Sequence, residues 1–239
     1  MKRLGINIDH IATVRNARGS SHPDPLNVAL NVMNFGANSI TIHLREDRRH
    51  IKDADVVKIC KNKRIPVNLE ISLNKKIIKI ALKNKPNFIC IVPEKRKEVT
   101  TEGGLNLIKN KKKIKTIISL FNKKKIRTSL FVDPTLKDIK IAKELNATCV
   151  ELHTGKISNL VKENKNYKNE YLKIKKCSEL GVKLGIEVHA GHGLDYKTTA
   201  ILSKIKEITE FNIGHFIIGE SLTHGLKNTI KIFKKITNK

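Results

Sequence analysis

The sequence predicts an α/β fold, a (β/α)8 TIM barrel with additional short helices, with residues 1–239 forming one domain. Three observations predict it. Short apolar runs rich in β-branched residues alternate with longer helical patterns eight times in 239 residues, which is the period of strand–helix units in a closed parallel barrel. The first turn, NIDHIATVRNARG (7–19), lacks the glycine-rich fingerprint that a doubly wound nucleotide-binding sheet carries there. Polar and titratable residues gather directly behind the apolar runs, where a barrel builds its mouth.

The elements follow in order. RLGINI (3–8) reads as strand one and PLNVALNVMNF (25–35) as a helix stopped by Gly36. SITI (39–42) is strand two, followed by the helix DADVVKICK (53–61); PVNL (66–69) is strand three, followed by LNKKIIKIALK (73–83). FICIV (88–92) is strand four, with a helix inside IKNKKKIKTIISLFNKK (108–124), and RTSLFV (127–132) is strand five, with LKDIKIAKEL (136–145) behind it. TCVE (148–151) is strand six, then NEYLKIKKCSEL (169–180) closed by Gly181; KLGIEV (183–188) is strand seven, then TTAILSKIKEI (198–208). EFNI (210–213) is strand eight and SLTHGLKNTIKIFKKI (221–236) is the last helix.

A formal net charge of +26 raises nucleic acid as a partner. The lysines, however, are scattered over every segment, aromatics are 4% and Trp is absent, so stacking platforms are scarce. The charge reads as solvated surface, with no specific nucleic-acid partner. No apolar run approaches the ~20 residues of a membrane span, and MKRLGINIDH lacks the pattern of a signal peptide, so a cytoplasmic location without a membrane partner is expected. The four cysteines form no C-x-x-C, which speaks against a zinc site, and they read as buried thiols.

The strand ends carry the chemistry. They supply Asp9 and His10, His43, Glu70, Pro93 and Glu94, Asp133, Glu151 and His153, His189 and His192, and Gly214 and His215. Seven of the nine histidines (His10, His43, His50, His153, His189, His192 and His215) fall at or just past these ends. Histidine moves protons near neutral pH, and a carboxyl such as Glu70 in a desolvated mouth gains proton affinity. Arg18, Arg45, Arg48 and Arg49 add the planar donor forks that bind phosphate, although Glu46 and Asp47 can also hold some of them in salt bridges. The glycines of HAGHG (189–193) and NIGH (212–215) let backbone N–H groups approach an oxyanion, at the strand-seven and strand-eight loops where barrels bind phosphate. PEKRKEVTTEGGLNL (93–107) is a candidate closing loop. Lys183, at the start of strand seven, sits at the wrong end for a Schiff-base lysine.

These blocks together resemble the pyridoxine 5'-phosphate synthase family. The resemblance runs through GINIDHIATVRNARG (5–19), ITIHLREDRRHI (40–51), NLEI (68–71), VPEKRKEVTTEGG (92–104), ELHTG (151–155), AGHGL (190–194) and NIGH (212–215), in order from end to end. It implies a barrel with added helices, a homo-octamer, and no metal or organic cofactor. It implies condensation of 1-deoxy-D-xylulose 5-phosphate with 3-amino-2-oxopropyl phosphate to pyridoxine 5'-phosphate, phosphate and water, through a Schiff base made by the substrate's own amine. It assigns His43 and Glu70 as proton acceptors, His192 as a proton donor and Glu151 as a transition-state stabiliser. It places Asp9, His10, Arg45, His50 and Thr100 on the sugar phosphate, and Asn7, Arg18, Gly193, Gly214 and His215 on the amino ketone phosphate. One position departs: His189 stands where the family more usually has Asn. A single-substrate isomerase or epimerase of sugar phosphates is the alternative enzyme reading.

Overall fold

The computed structural model describes residues 1–94 and 103–238. Eight parallel strands close into a barrel in sequence order: β1 (Arg3–Asn7), β2 (Ser39–His43), β3 (Val67–Ile71), β4 (Phe88–Ile91), β5 (Arg127–Val132), β6 (Cys149–His153), β7 (Glu187–Gly191) and β8 (Ile208–Ile213), with β8 pairing back to β1. Eleven helices lie among the described residues: α1 (Asp9–Arg18), α2 (Pro25–Asn34), α3 (Asp53–Lys61), α4 (Lys75–Asn84), α5 (Lys111–Asn122), α6 (Leu136–Glu144), α7 (Gly155–Lys162), α8 (Lys168–Lys183), α9 (Tyr196–Leu202), α10 (His215–His224) and α11 (Leu226–Thr237). None is long and apolar enough to cross a membrane.

The strands alternate, and the two faces differ in kind. Leu4, Ile6, Ile40, Ile42, Leu69, Ile89, Leu130, Val150, Val188 and Phe211 are fully buried and form the layer between sheet and helices. Each such side chain contributes roughly 1.5–3 kcal/mol of burial free energy. The lumen, which in most barrels is filled by branched apolar residues, is polar here. Hydrogen bonds between strands that are not neighbours show this directly. Thr41 Oγ1 donates to Asn212 Oδ1 at 3.3 Å, from β2 to β8, and Asn212 Nδ2 donates to Glu151 Oε2 at 2.7 Å, from β8 to β6. Gly5 of β1 lies beneath the first of these: a Cβ there would stand 2.1 Å from Asn212 Oδ1.

Several expectations are corrected. The segment 7–19 contains helix α1 rather than an open turn. α8 continues through Gly181 to Lys183, and β7 begins at Glu187. Gly181 is not a stop: a Cβ there would lie 2.6 Å from Val188 Cγ2, so glycine lets the helix pack closely on β7. Lys183 therefore ends a helix instead of starting a strand. Helix α9 stops at Leu202, and β8 starts at Ile208. The last helical pattern is two helices, broken at Gly225, whose φ of +74° lies in the left-handed region that glycine tolerates.

Candidate active site

The mouth is built from the C-terminal halves of the strands. Asp9, the first residue of α1, is buried and acts as a hub. Its Oδ1 accepts the His43 backbone N–H at 2.9 Å and its Oδ2 accepts Asn7 Nδ2 at 2.9 Å, while its own N–H donates to Asn7 Oδ1. One carboxylate thus ties β1 to β2. Asn7 in turn faces Gly214, where a Cβ would stand 2.9 Å from Asn7 Cβ. His10 and His215 meet edge to face at 4.9 Å between ring centres. Burial, followed by the His215 charge, holds His10 below the ordinary imidazole range, and Asp9 opposes the shift. Asn7, Asp9, His10, Gly214 and His215 therefore form one corner.

His43 stands between two carboxylates. Its Nδ1 is 3.6 Å from Glu70 Oε2, and its Nε2 is 3.6 Å from Glu94 Oε2. Glu70 projects from within β3, one residue before its end. Burial first, then the Asp9 and Glu151 charges, push its proton affinity well above the carboxylate range. Glu94 goes the other way. Burial opposes its charge, but His43, the Glu46 backbone N–H at 2.7 Å and Arg45 outweigh burial and lower its pKa. Two carboxyls flanking one imidazole are thereby set apart, a proton-rich one and a proton-poor one. His50 Nδ1 accepts the Ile51 N–H at 2.9 Å, which leaves Nε2 as the protonated nitrogen of the neutral ring. Burial, chiefly, keeps that ring neutral.

The arginines divide by role. Arg48 pairs with Asp53 at 3.0 Å and Arg49 with Asp47 at 2.7 Å, while Glu46 accepts from Ser72 and Asn74, so most of the loop after β2 is a salt-bridged scaffold. Arg45 differs: its side chain is buried, its Nε reaches Asp47 at 3.3 Å, and its Nη2 is a buried donor without a partner among the described residues. An unmatched buried guanidinium N–H is costly and suits a phosphate oxygen. Arg15, which the sequence reading passed over, holds this loop from below through a two-pronged bond to Asp55 at 2.6 and 2.9 Å and a contact to the His50 carbonyl. Its only sequence signal is a basic residue on the inward face of α1. Arg18, the last residue of α1, is exposed and joins none of these contacts.

On the far side, Glu151 sits in mid-strand, held by Asn212. Burial raises it to about 7, with the Glu210 charge adding to the shift and His189 and Asn212 opposing it. His192 takes a φ of +78°, a strained conformation for a non-glycine residue. Thr154 Oγ1 pins the turn at 2.7 Å from both the Gly191 and His192 carbonyls. Gly193, at φ +75°, packs on α7, where a Cβ would stand 3.2 Å from Ser158 Cβ. Thr100 and the body of the candidate closing loop (95–102) lie outside the described residues.

His189 is not at the mouth. It points into the lumen toward the N-terminal end, where Nε2 is 2.6 Å from Glu187 and Nδ1 is 3.7 Å from Glu210. Arg3 and Arg127 reach the same carboxylates. Of the seven histidines expected at the mouth, six are therefore there. Burial disfavours the His189 charge, but the Cys149 sulfur and the Glu210 and Glu187 carboxylates outweigh burial and lift it to about 10. Because the folded-state value exceeds the ordinary 6.5, this charge stabilises the fold fully below pH ~6.5, and the contribution fades as pH rises towards 10. His189→Asn is expected to destabilise near pH 6, by the lower part of the ~3–5 kcal/mol for breaking a buried ion pair because Arg3 and Arg127 remain. The deficit in denaturant midpoint should shrink as the pH approaches 10, and a deficit independent of pH would refute the charge argument.

Among the described residues, two clusters bring three potential metal ligands within 4.8 Å of one another: Asp9, His43 and His50 at the mouth, and Cys149, Glu187 and His189 in the lumen. In the first, the Asp9 and His50 atoms already take backbone N–H groups; in the second, Arg3 and Arg127 occupy Glu187.

Residues 4–239 match the family model described as pyridoxal phosphate biosynthesis protein PdxJ. The chain is 87% identical over 239 residues to the pyridoxine 5'-phosphate synthase of Pelagibacter ubique (strain HTCC1062), covering 100% of both chains. It is 47% identical over 229 residues to the synthase of Zymomonas mobilis, covering 96% of this chain and 89% of that one. Among solved structures, the fold resembles 3-keto-L-gulonate-6-phosphate decarboxylase from Vibrio cholerae (TM-score 0.69, 13% identity, covering 100% and 98%). It also resembles phosphoribosyl anthranilate isomerase from Thermotoga maritima (TM-score 0.58, 15% identity, covering 100% and 99%). Those two likenesses speak to the barrel alone. With near-complete coverage at high identity and the acid–base mouth in place, the chain belongs to the PdxJ family of pyridoxine 5'-phosphate synthases, enzymes of pyridoxine biosynthesis.

Proposed function

We propose that the mouth condenses 1-deoxy-D-xylulose 5-phosphate with 3-amino-2-oxopropyl phosphate, releasing pyridoxine 5'-phosphate, phosphate and water. The observation that carries this reading is the graded set of acids and bases at the C-terminal ends of the strands: proton-rich Glu70 and Glu151, proton-poor Glu94, and neutral His10, His50 and His192. A ring closure made of enolisations and dehydrations needs several such groups and no single nucleophile. None of the gathered residues is a lysine, so the imine is formed by the substrate's amine on the sugar ketone, with loss of water. In this reading Glu70 and His43 take the proton beside the imine, which lets phosphate leave. His192 returns a proton to a departing hydroxyl, and Glu151 stabilises charge developing on the ring. Arg45, with a donor unmatched among the described residues, and His50 hold one phosphate; the Gly193 turn and the Gly214–His215 start of α10 hold the other, at a helix N-terminus.

The same reading includes a homo-octamer in the cytoplasm that acts as a transferase. Exposed Val14 (54%) and Leu222 (86%), on the adjoining helices α1 and α10, support a partner surface beside Arg18. The test is a two-substrate assay on purified protein, following pyridoxine phosphate by mass and absorbance with phosphate release in parallel. Product that requires both substrates supports the proposal. Turnover of either substrate alone without phosphate release would replace it with an isomerase or epimerase.

A further inference from the structure

In the proposed reaction His192 delivers a proton, yet its ring has no hydrogen-bond partner of its own among the described residues. What lies beside it is a second histidine. His153, the last residue of β6, has its ring centre 5.0 Å from that of His192, tilted by 51°. Both rings rest over the same point on Gly155, where a Cβ would stand 2.7 Å from His153 Nε2 and 3.0 Å from His192 Cδ2. On its other side, His153 Nδ1 lies 3.3 Å from Asp133 Oδ1, just past the end of β5. That carboxylate is itself fixed: Gly104 N–H donates to the same oxygen at 2.9 Å, and the Gly104 backbone presses so closely that a Cβ would stand 2.2 Å from Asp133 N. Phe131 closes the edge, 5.3 Å from the His153 ring and 6.3 Å from the His192 ring.

Resting on the proposed reaction, we propose that Asp133 and His153 are a positioning pair that orients His192 and sets its readiness to give up a proton. The Asp133 carboxylate accepts the Nδ1–H of His153 and fixes that ring's tautomer, as carboxylates do for histidines that ligate metals or act as bases. The Nε2 edge then faces His192. Any positive charge on His153 makes His192 a stronger acid, so a proton placed there leaves readily when the substrate oxygen needs it. His192 is in fact held down to about 4, by burial first, then by His153 and by Lys162 of α7. The other charged groups lining the groove beside His153 are Lys137, Lys156, Glu170, Lys173 and Lys176, from the start of α6 and from α7 and α8. None of these groups bonds to either ring.

The test uses the full-length protein with 13C-labelled histidine. The His192 ring resonance is titrated in the wild type, in Asp133→Asn, and in His153→Asn, whose shorter amide keeps a donor for Asp133 but removes the ring. In His153→Asn the His192 midpoint is expected to rise by about 1 pH unit as a neighbouring charge is lost. In both variants kcat is expected to fall ~10–100-fold, as when an outer-shell partner is removed, with KM for each substrate within about 3-fold. The double variant should be no worse than the worse single one, since the residues act as a unit. An unmoved His192 midpoint, or losses that multiply in the double variant, would overturn the pair. If the wild type turns over neither substrate, the reaction assignment fails, while the His192 titration still decides the pair.

Discussion

Glu70→Gln is expected to fold, to bind a substrate phosphate, and to lose turnover by ~10³-fold or more, within the upper range for removing a general acid–base. The amide keeps the shape of the side chain beside His43 Nδ1, so packing in the mouth is preserved. What disappears is the ability to hold a proton and then release it. Stability should move the other way. A carboxyl whose proton affinity is higher in the folded state than its ordinary 4.5 costs folding free energy once pH exceeds that value, because the folded protein must either keep the proton or bury a charge. Glutamine carries no such cost. The thermal midpoint of the variant relative to wild type should therefore climb as pH is raised above 4.5, while activity stays lost. A variant that turns over normally sinks the assignment of Glu70. A variant less stable than wild type at every pH would show that the buried carboxyl is held by partners rather than strained.

The second large effect is expected from a residue with no side chain. Gly191 ends β7 beside Glu151, and a Cβ at this position would stand 2.0 Å from Glu151 Oε1 and 2.9 Å from its Cδ. Gly191→Ala must swing the Glu151 carboxylate aside and break its 2.7 Å bond with Asn212. The methyl also approaches the Asn212 carbonyl at 3.3 Å, so β8 leaves little room for the alanine itself to retreat. A displacement of about 1 Å in a reacting group costs on the order of 10²-fold in rate. kcat should fall by that factor, with the secondary structure unchanged by circular dichroism. If the alanine variant keeps wild-type kcat, Glu151 is not positioned chemistry but part of the lumen's polar packing.

Much of the molecule is legible in the sequence. β5 runs over 127–132 and α3 over 53–61, as read from the sequence, because a β-branched run flanked by charge and an amphipathic helix are local patterns. Asp9, His10, His43, Glu70, Glu151, His192 and His215 were visible because barrel topology sends every strand end to one mouth. Other features were hidden for equally physical reasons. Helices α1 and α7 were missed and α10 was read only in its last turn, because all three begin directly at strand ends, where site residues break the apolar period that marks a helix. Along the chain Gly181 reads as a helix stop and Gly191 as a glycine that opens the backbone to an oxyanion, whereas the role of each is set by the element that packs against it.

The sequence by itself determined the eightfold alternation, the collection of histidines and carboxyls behind the strands, and the surface origin of the excess charge. Each of these depends on neighbours along the chain or on a rule of chain direction. Only the tertiary structure decided that the lumen is polar, that Asn212 links β2 to β6 across it, that His189 belongs to an ion cluster with Arg3, Glu187 and Glu210 below the mouth, and that Arg45 has a buried donor unmatched among the described residues. Those outcomes depend on which side chains meet across the barrel, and on how far each charge is removed from water, and both are set by barrel closure rather than by spacing along the chain.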